Sequence, residues 1–164
     1  MSGSKTEEKQ ISLRPATAAD DDFILSVYAS TRAQEMELVP WNAEQKEAFV
    51  RMQYVAQKQH YAAEAPRASH DIIQVDATPV GRLYLERRED ALHILDVTLL
   101  PRHRNQGTGS LLLRRLLNEA ANPRKPVTIW VESFNPSLRL FERLGFRKDQ
   151  EKGFHWLMKW QMES

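Results

Sequence analysis

Cysteine is absent from this chain of 164 residues. That excludes a disulfide scaffold, thiolate metal sites and catalysis through a thiol. Long hydrophobic runs are missing as well. None approaches the roughly 18 residues that a membrane-spanning helix requires, and residues 1–10, MSGSKTEEKQ, hold no apolar stretch of the kind a signal peptide needs. Neither charge sign is in excess: 23 Lys+Arg against 22 Asp+Glu leave a formal charge of +1. A dedicated polyanion binder would be more basic. What is present is enough apolar material for a core, 41% of residues. The length suits one domain with short tails. These observations predict a single domain over residues 10–164 behind a flexible tail at 1–9, cytoplasmic, with no metal site and no membrane segment.

Periodicity orders the chain. Ile11 and Leu13 alternate with polar residues up to Pro15, which predicts a strand over 10–14. Thr17 suits an N-cap, and Asp20, Asp21 and Asp22 suit the positive end of a helix dipole. Phe23, Ile24, Val27, Tyr28 and Thr31 then repeat at helical spacing, predicting a helix over 18–32. A connection at 35–41, broken by Pro40, leads to Asn42, which can cap a helix over 44–63 with Phe49, Met52, Val55 and Ala56 as its buried stripe. After a loop at 66–70, strands are expected over 72–75, 80–87 and 92–100. In the last of these the apolar parity shifts between Ile94 and Leu95, the signature of a bulge or of burial on both faces. Leu111, Leu112, Leu113, Leu116, Leu117 and Ala120 predict an amphipathic helix over 107–121, ended by Asn122 and Pro123. An apolar strand at 127–131, a short helix at 136–144 closed by Gly145, and strands at 146–149 and 154–160 joined near Gly153 complete the chain. The order β-α-α-β-β-β-α-β-α-β-β predicts an α/β fold, a mixed sheet with helices on its faces.

The informative stretch lies between the strand ending near Leu99 and the most amphipathic helix: Leu99-Leu100-Pro101-Arg102-His103-Arg104-Asn105-Gln106-Gly107-Thr108-Gly109-Ser110. A strand–loop–helix junction of this kind is an anion cradle. The first N–H groups of a helix have no intrahelical partner and carry the positive end of the dipole. Gly107 and Gly109 let a phosphate approach the backbone, and Arg102 and Arg104 add positive charge at the mouth. The loop lacks the Gly-Lys-Ser/Thr of a mononucleotide P-loop, and Leu112 stands where a dinucleotide fingerprint needs glycine.

The run Leu99-x-Pro101-x-His103-Arg104-x-x-Gly107-x-Gly109 resembles the acetyl-CoA-binding motif of the GNAT superfamily of N-acetyltransferases, Val-x-Pro-x-Tyr-Arg-Gly-x-Gly-x-Gly. It departs at His103 and Asn105. Leu13-Arg14-Pro15-Ala16-Thr17 resembles the family's first strand and helix start. Asn135-Pro136-Ser137-Leu138-Arg139-Leu140-Phe141-Glu142-Arg143-Leu144-Gly145-Phe146 resembles its second cofactor-side helix. The resemblance implies a GNAT-like fold: a twisted mixed sheet, mostly antiparallel, of about six to seven strands with about four helices. Two neighbouring parallel strands, here 92–100 and 127–131, would splay into a cleft for acetyl-CoA. It further implies that the backbone of Val97, Thr98 and Leu99 holds the pantetheine and thioester. Arg104, Asn105, Gln106, Gly107, Thr108, Gly109 and Ser110 would hold the pyrophosphate, and Asn135 and Phe141 would also contact the cofactor. Phe141 departs from the tyrosine often found there to protonate the leaving thiolate; core packing is its other reading. General acid help is worth about 10²–10⁴ in rate, and a thiol of pKa ~8.5 already leaves readily.

The chemistry asks for more groups. A base must take the proton of the attacking amine. Asp96 is the first candidate, with His93 and Glu86 behind it; a carboxylate bonded to a neighbouring strand or an arginine is the other reading of Asp96. Tyr84 and Ser137 are candidate acids. The acceptor is expected between the first two helices and the sheet, with Glu35 and Glu37 attracting an amine and Trp41 stacking on it; packing of Trp41 and solvation of the glutamates are the alternative. Arg32 and Arg82 would instead select an acidic substrate. The Trp156 to Trp160 end suits core or a dimer edge, and a homodimer is the family-level expectation. The activity implied is direct acetyl transfer from acetyl-CoA to a primary amine through a ternary complex. The alternative is a non-catalytic acyl-CoA-binding or sensing module. A nucleic-acid binder fits poorly, because no aromatic platform interleaves with Arg102, His103 and Arg104.

Overall fold

The structure is a computed structural model that describes residues 10–162; the tail expected at 1–9 lies outside the described residues. In chain order the elements are β1 (Ile11–Pro15), α1 (Asp21–Glu37), α2 (Ala43–Glu64), β2 (Ser69–Val75), β3 (Thr78–Arg87), β4 (Leu92–Leu99), α3 (Thr108–Ala121), β5 (Val127–Glu132), α4 (Ser137–Arg143), β6 (Arg147–Lys152) and β7 (His155–Trp160). The seven strands form one mixed sheet in the order β1-β2-β3-β4-β5-β7-β6. Neighbours are antiparallel except β4 and β5, which are parallel. The expected α/β class and element order are therefore observed.

Each face of the sheet carries its own apolar cluster. On one face Leu112, Leu113, Leu116, Leu117 and Ala120 of α3 and Phe141 of α4 pack with Leu83, Leu85, Ile94, Ile129 and Met158. Leu111, expected in that stripe, is instead 41% exposed. Trp156 and Trp160 lie against this cluster, half-buried. On the other face Ile24 and Tyr28 of α1 and Val50 and Tyr54 of α2 pack on Ile72.

Two features differ from expectation. Helix α1 runs on to Glu37, past the predicted end near residue 32, so Glu35 and Glu37 sit on a helix and not in a lid loop. Thr31, Arg32, Ala33, Gln34, Glu35, Met36 and Glu37 hold few apolar residues to mark a buried stripe, but most are good helix formers, and propensity alone carries the helix toward Pro40. Asn42 does cap α2, its Oδ1 accepting the Gln45 N–H at 2.8 Å. The inner face of α2 is not the predicted one, however. Val50 and Tyr54 are buried, while Met52 and Val55 are exposed. Gln53, Gln57 and Tyr61 continue the inward face, Gln57 and Tyr61 meeting polar groups of the sheet at Arg82 and the Leu95 carbonyl.

The entry to α1 is fixed by charge. Arg14 donates to both oxygens of Asp20 at 2.8 Å, and the Thr17 N–H donates to Asp20 Oδ2 at 2.9 Å. These bonds hold the Asp20 carboxyl far below the ordinary aspartate range.

Candidate functional site

The functional geometry begins with a broken strand pair. β4 and β5 pair over only Leu92–Val127, His93–Thr128 and Ile94–Ile129. β3 pairs β4 on to Leu99, and β7 pairs β5 on to Glu132. Past Ile94 the two parallel strands are thus each held from outside and not to each other, which makes a wedge. The cause is local. Between Tyr84–Asp96 and Leu85–Ile94 the register slips, leaving Leu95 as an extra residue on β4. Such a bulge bends and twists its strand, and it falls at the parity shift read from the sequence. The Leu95 carbonyl turns away from the ladder to accept the Tyr61 hydroxyl at 3.1 Å. At the foot of the wedge His93 Nδ1 lies 2.7 Å from Thr128 Oγ1, pinning the strands where they still meet.

The wedge opens toward the start of α3. Pro101–His103 form a short 3-10 turn, Asn105 and Gly107 take left-handed backbone (φ 61° and 83°), and α3 begins at Thr108. The first helix-type bond runs from the Leu111 N–H to the Gly107 carbonyl. The N–H groups of Thr108, Gly109 and Ser110 come before it and are the orphan donors of this helix. A Cβ built on Gly107 would meet nothing within 4 Å, so the space before these donors is open. Arg104 reaches back to the Leu99 carbonyl at 2.9 Å and ties the loop to the end of β4. A diphosphate fits this arrangement in charge and in room.

On the α1–α2 face of the sheet, beside the bulge, lies a polar network that composition did not foretell. Arg82 on β3 is 2% exposed. Its Nε donates to Asp96 Oδ2 at 2.6 Å and its Nη2 to Gln57 Oε1 at 2.5 Å. Thr98 donates to the other Asp96 oxygen at 2.8 Å. A cavity of ≈ 320 Å³ opens here, with Arg82, Tyr84, His70, Tyr54, Tyr61 and Lys58 among its walls. Tyr84 stacks on His70 and meets Tyr61 edge-on.

The expected residues divide accordingly. Val97, Thr98 and Leu99 lie on β4 past Ile94, where its pairing with β5 ends, and residues 104–110 make the loop before α3 and its first turn. Asp96 lies on the same strand, with both oxygens accepting hydrogen bonds. Tyr84 is directly across from it in the β3–β4 register. His93 is engaged with Thr128, and Glu86 with Arg88. Asn135 accepts the Ser137 N–H at the start of α4. Phe141 is buried edge-on to Phe146. Glu35 pairs with Arg32, and Trp41 packs on Phe49. Sequence reading missed Gly81, His70, Gln57 and Tyr61. A glycine inside a strand is the one readable signal among these; the others acquire meaning only from packing.

The half-buried His70 and the buried His93 are both held neutral. Burial, and then Arg82, push His70 down to about 4, against the opposing pull of Asp96. Burial, and then Arg88, push His93 down to about 4, opposed by Glu86 and Glu64. Both folded values lie below the ordinary 6.5, so the unfolded chain binds more protons between pH 6.5 and 4. The expected result is full stability above pH 6.5 and progressive loss as pH falls toward 4. Urea midpoints across that range check it, and the loss should shrink in His70→Gln.

Comparison with known proteins adds three findings. A model of the acetyltransferase (GNAT) family matches residues 31–146. Mycothiol acetyltransferase of Stackebrandtia nassauensis is 31% identical over 101 residues, which is 60% of this chain and 33% of that protein. The chain thus spans a third of that relative's length. Among solved structures, the PaiA N-acetyltransferase of Thermoplasma acidophilum in complex with coenzyme A superposes with a TM-score of 0.70 at 16% identity, covering 93% of this chain and 99% of that one. A GNAT-family acetyltransferase of Elizabethkingia anophelis with acetyl-CoA bound gives 0.57 at 17% identity, covering 93% and 98%. Among the described residues no helix is long and apolar enough to cross a membrane.

Proposed function

This chain belongs to the GNAT acetyltransferase family, and on that premise we propose that it moves the acetyl group of acetyl-CoA directly to a primary amine. The observation that carries the reading is the wedge between β4 and β5, opened by the Leu95 bulge and aimed at the unpaired N–H groups of α3. The diphosphate belongs on the N–H groups of Thr108, Gly109 and Ser110. The pantetheine belongs along Val97, Thr98 and Leu99, adding a partner to the β4 edge that β5 has left.

In this reading the amine nitrogen bonds to the thioester carbon, the C–S bond breaks, and the electron pair leaves on sulfur. The proton lost by the amine is balanced by the one the thiolate takes up to become CoA-SH. A strand N–H near Val97 to Leu99 stabilises the oxyanion. Asp96, on the thioester strand itself, is the proton acceptor, and Tyr84, paired with it across β3–β4 and with no hydrogen-bond partner for its hydroxyl among the described residues, is the donor. With no cysteine in the chain, no acetyl-thiol intermediate forms on it.

The test is free-thiol release from acetyl-CoA by the full chain with a panel of amines. Turnover with intersecting initial-velocity lines supports direct transfer. Binding of acetyl-CoA without thiol release supports instead the sensing module that buried Phe141, in place of an acid, would suit. Asp96→Asn is expected to lower kcat by about 10²–10⁴, read from initial rates of thiol release at saturating acetyl-CoA.

A further inference from the structure

The cavity beside the bulge has a chemistry that names an acceptor. We propose that it binds an amino acid as a zwitterion, with the carboxylate on Arg82 and the amine beside Asp96. The inference rests on the acetyl-transfer reading above and adds the class of acceptor.

Four observations carry it. First, the charged groups at this cavity are paired, with Asp96 standing behind Arg82 and not in the wall itself. Lys58 pairs with Asp21 at 2.9 Å and Arg82 with Asp96 at 2.6 Å. A ligand of net charge would upset that balance, and a zwitterion would not. Second, Arg82 is buried with only two of its N–H groups engaged, by Asp96 and Gln57. Its other donors have no partner among the described residues, and a buried guanidinium left short of acceptors is costly. A carboxylate supplies acceptors in the fork geometry that arginine prefers. Third, His70 Nε2 is a buried nitrogen without a hydrogen-bond partner, on a ring that lines the same cavity. In the tautomer protonated at Nε2, a neutral imidazole donates to a carboxylate. Fourth, the position suits transfer. Arg82 lies opposite Thr98 and Tyr84 opposite Asp96 in the β3–β4 register, on the stretch of β4 that has parted from β5.

The remaining walls indicate the side chain. Ile24, Ala16, Ala18 and the rings of Tyr54, Tyr61 and Tyr84 are apolar or aromatic. A volume of ≈ 320 Å³ holds one amino acid of medium size and excludes a folded polypeptide. The ammonium of the bound zwitterion first gives up one proton to solvent; the neutral α-amine then forms the amide N–C bond as the C–S bond breaks, its second proton passes to Asp96, and the thiolate takes up the proton of Tyr84.

The test compares L-phenylalanine and L-methionine with their amides and with phenethylamine, by thiol release from acetyl-CoA with the full chain. Removing the carboxylate removes charge-assisted hydrogen bonds, so kcat/KM for the acids should exceed that for the amides and the amine by roughly 10- to 100-fold. His70→Phe keeps the ring and loses the nitrogen. It should raise KM for the acids about fivefold or more while the acetyl-CoA Kd from calorimetry stays unchanged. Arg82→Lys should raise the same KM further. The amide comparison needs no variant, so a misfolded Arg82 variant does not spoil it. Equal or better turnover of the amides or phenethylamine overturns the assignment, and so does acetyl-CoA binding with neither acid turned over. Failure of acetyl-CoA to bind at all overturns the transfer reading beneath it.

Discussion

Gly107→Glu is expected to abolish acetyl-CoA binding while leaving the chain folded. Gly107 sits at the entry of α3 with φ 83°, and a Cβ there meets nothing within 4 Å. The protein itself therefore tolerates the added side chain apart from backbone strain of about 1–2 kcal/mol, the cost of left-handed geometry for a residue with a Cβ. The carboxylate, by contrast, is brought to the N–H groups of Thr108, Gly109 and Ser110 that the diphosphate needs. It can satisfy those donors itself and repels what remains outside. Two like charges about 4 Å apart repel by about 4 kcal/mol near a protein surface, and each 1.4 kcal/mol is tenfold, so Kd should rise by at least about 100-fold. Gly107→Ala isolates the strain and should cost stability with little change in affinity. Calorimetric titration with acetyl-CoA, beside thermal melts of both variants, checks the pair. Unchanged affinity in Gly107→Glu would mean that the diphosphate is held elsewhere.

The second large effect is at Gly81, which no motif marks. A Cβ on Gly81 would collide with the Thr98 carbonyl oxygen and lie 2.9 Å from Leu99 Cα. These are backbone atoms of the neighbouring strand and cannot rotate away. Gly81→Ala must push β4 from β3 at Thr98 and Leu99, two of the three residues that the pantetheine is proposed to lie along. Overpacking of this kind costs about 1–3 kcal/mol, which for a chain of this size lowers Tm by roughly 5–10 °C. KM for acetyl-CoA should rise about tenfold beyond the stability loss, because the wedge wall itself has moved. A melt within 2 °C of the parent would refute the close approach.

Much of the site was legible because its signals are local. Asn105, Gly107 and the helix that follows needed only special backbone positions, a strand before and an amphipathic stripe after. The bulge at Leu95 showed as a break in alternation, since one extra residue inverts which side chains face the core. The first two helices were less legible. The outer half of α1 is helical without an apolar stripe, and α2 turns Gln57 inward because Arg82 waits beneath it. A hydrophobic periodicity has nothing to say about a helix whose partner surface is polar.

The order of elements, the glycine-containing loop before α3 and the short helix that carries Phe141 were determined by the amino-acid sequence alone, because each depends on residues close together in the chain. The tertiary structure alone decided which charges meet. Arg82, Asp96 and Gln57 are far apart in the chain, and His70 faces Tyr84 only because β2 pairs with β3. Hydrogen bonds and burial act at a few ångströms, and pairing across a sheet sets those distances without leaving a trace in local pattern.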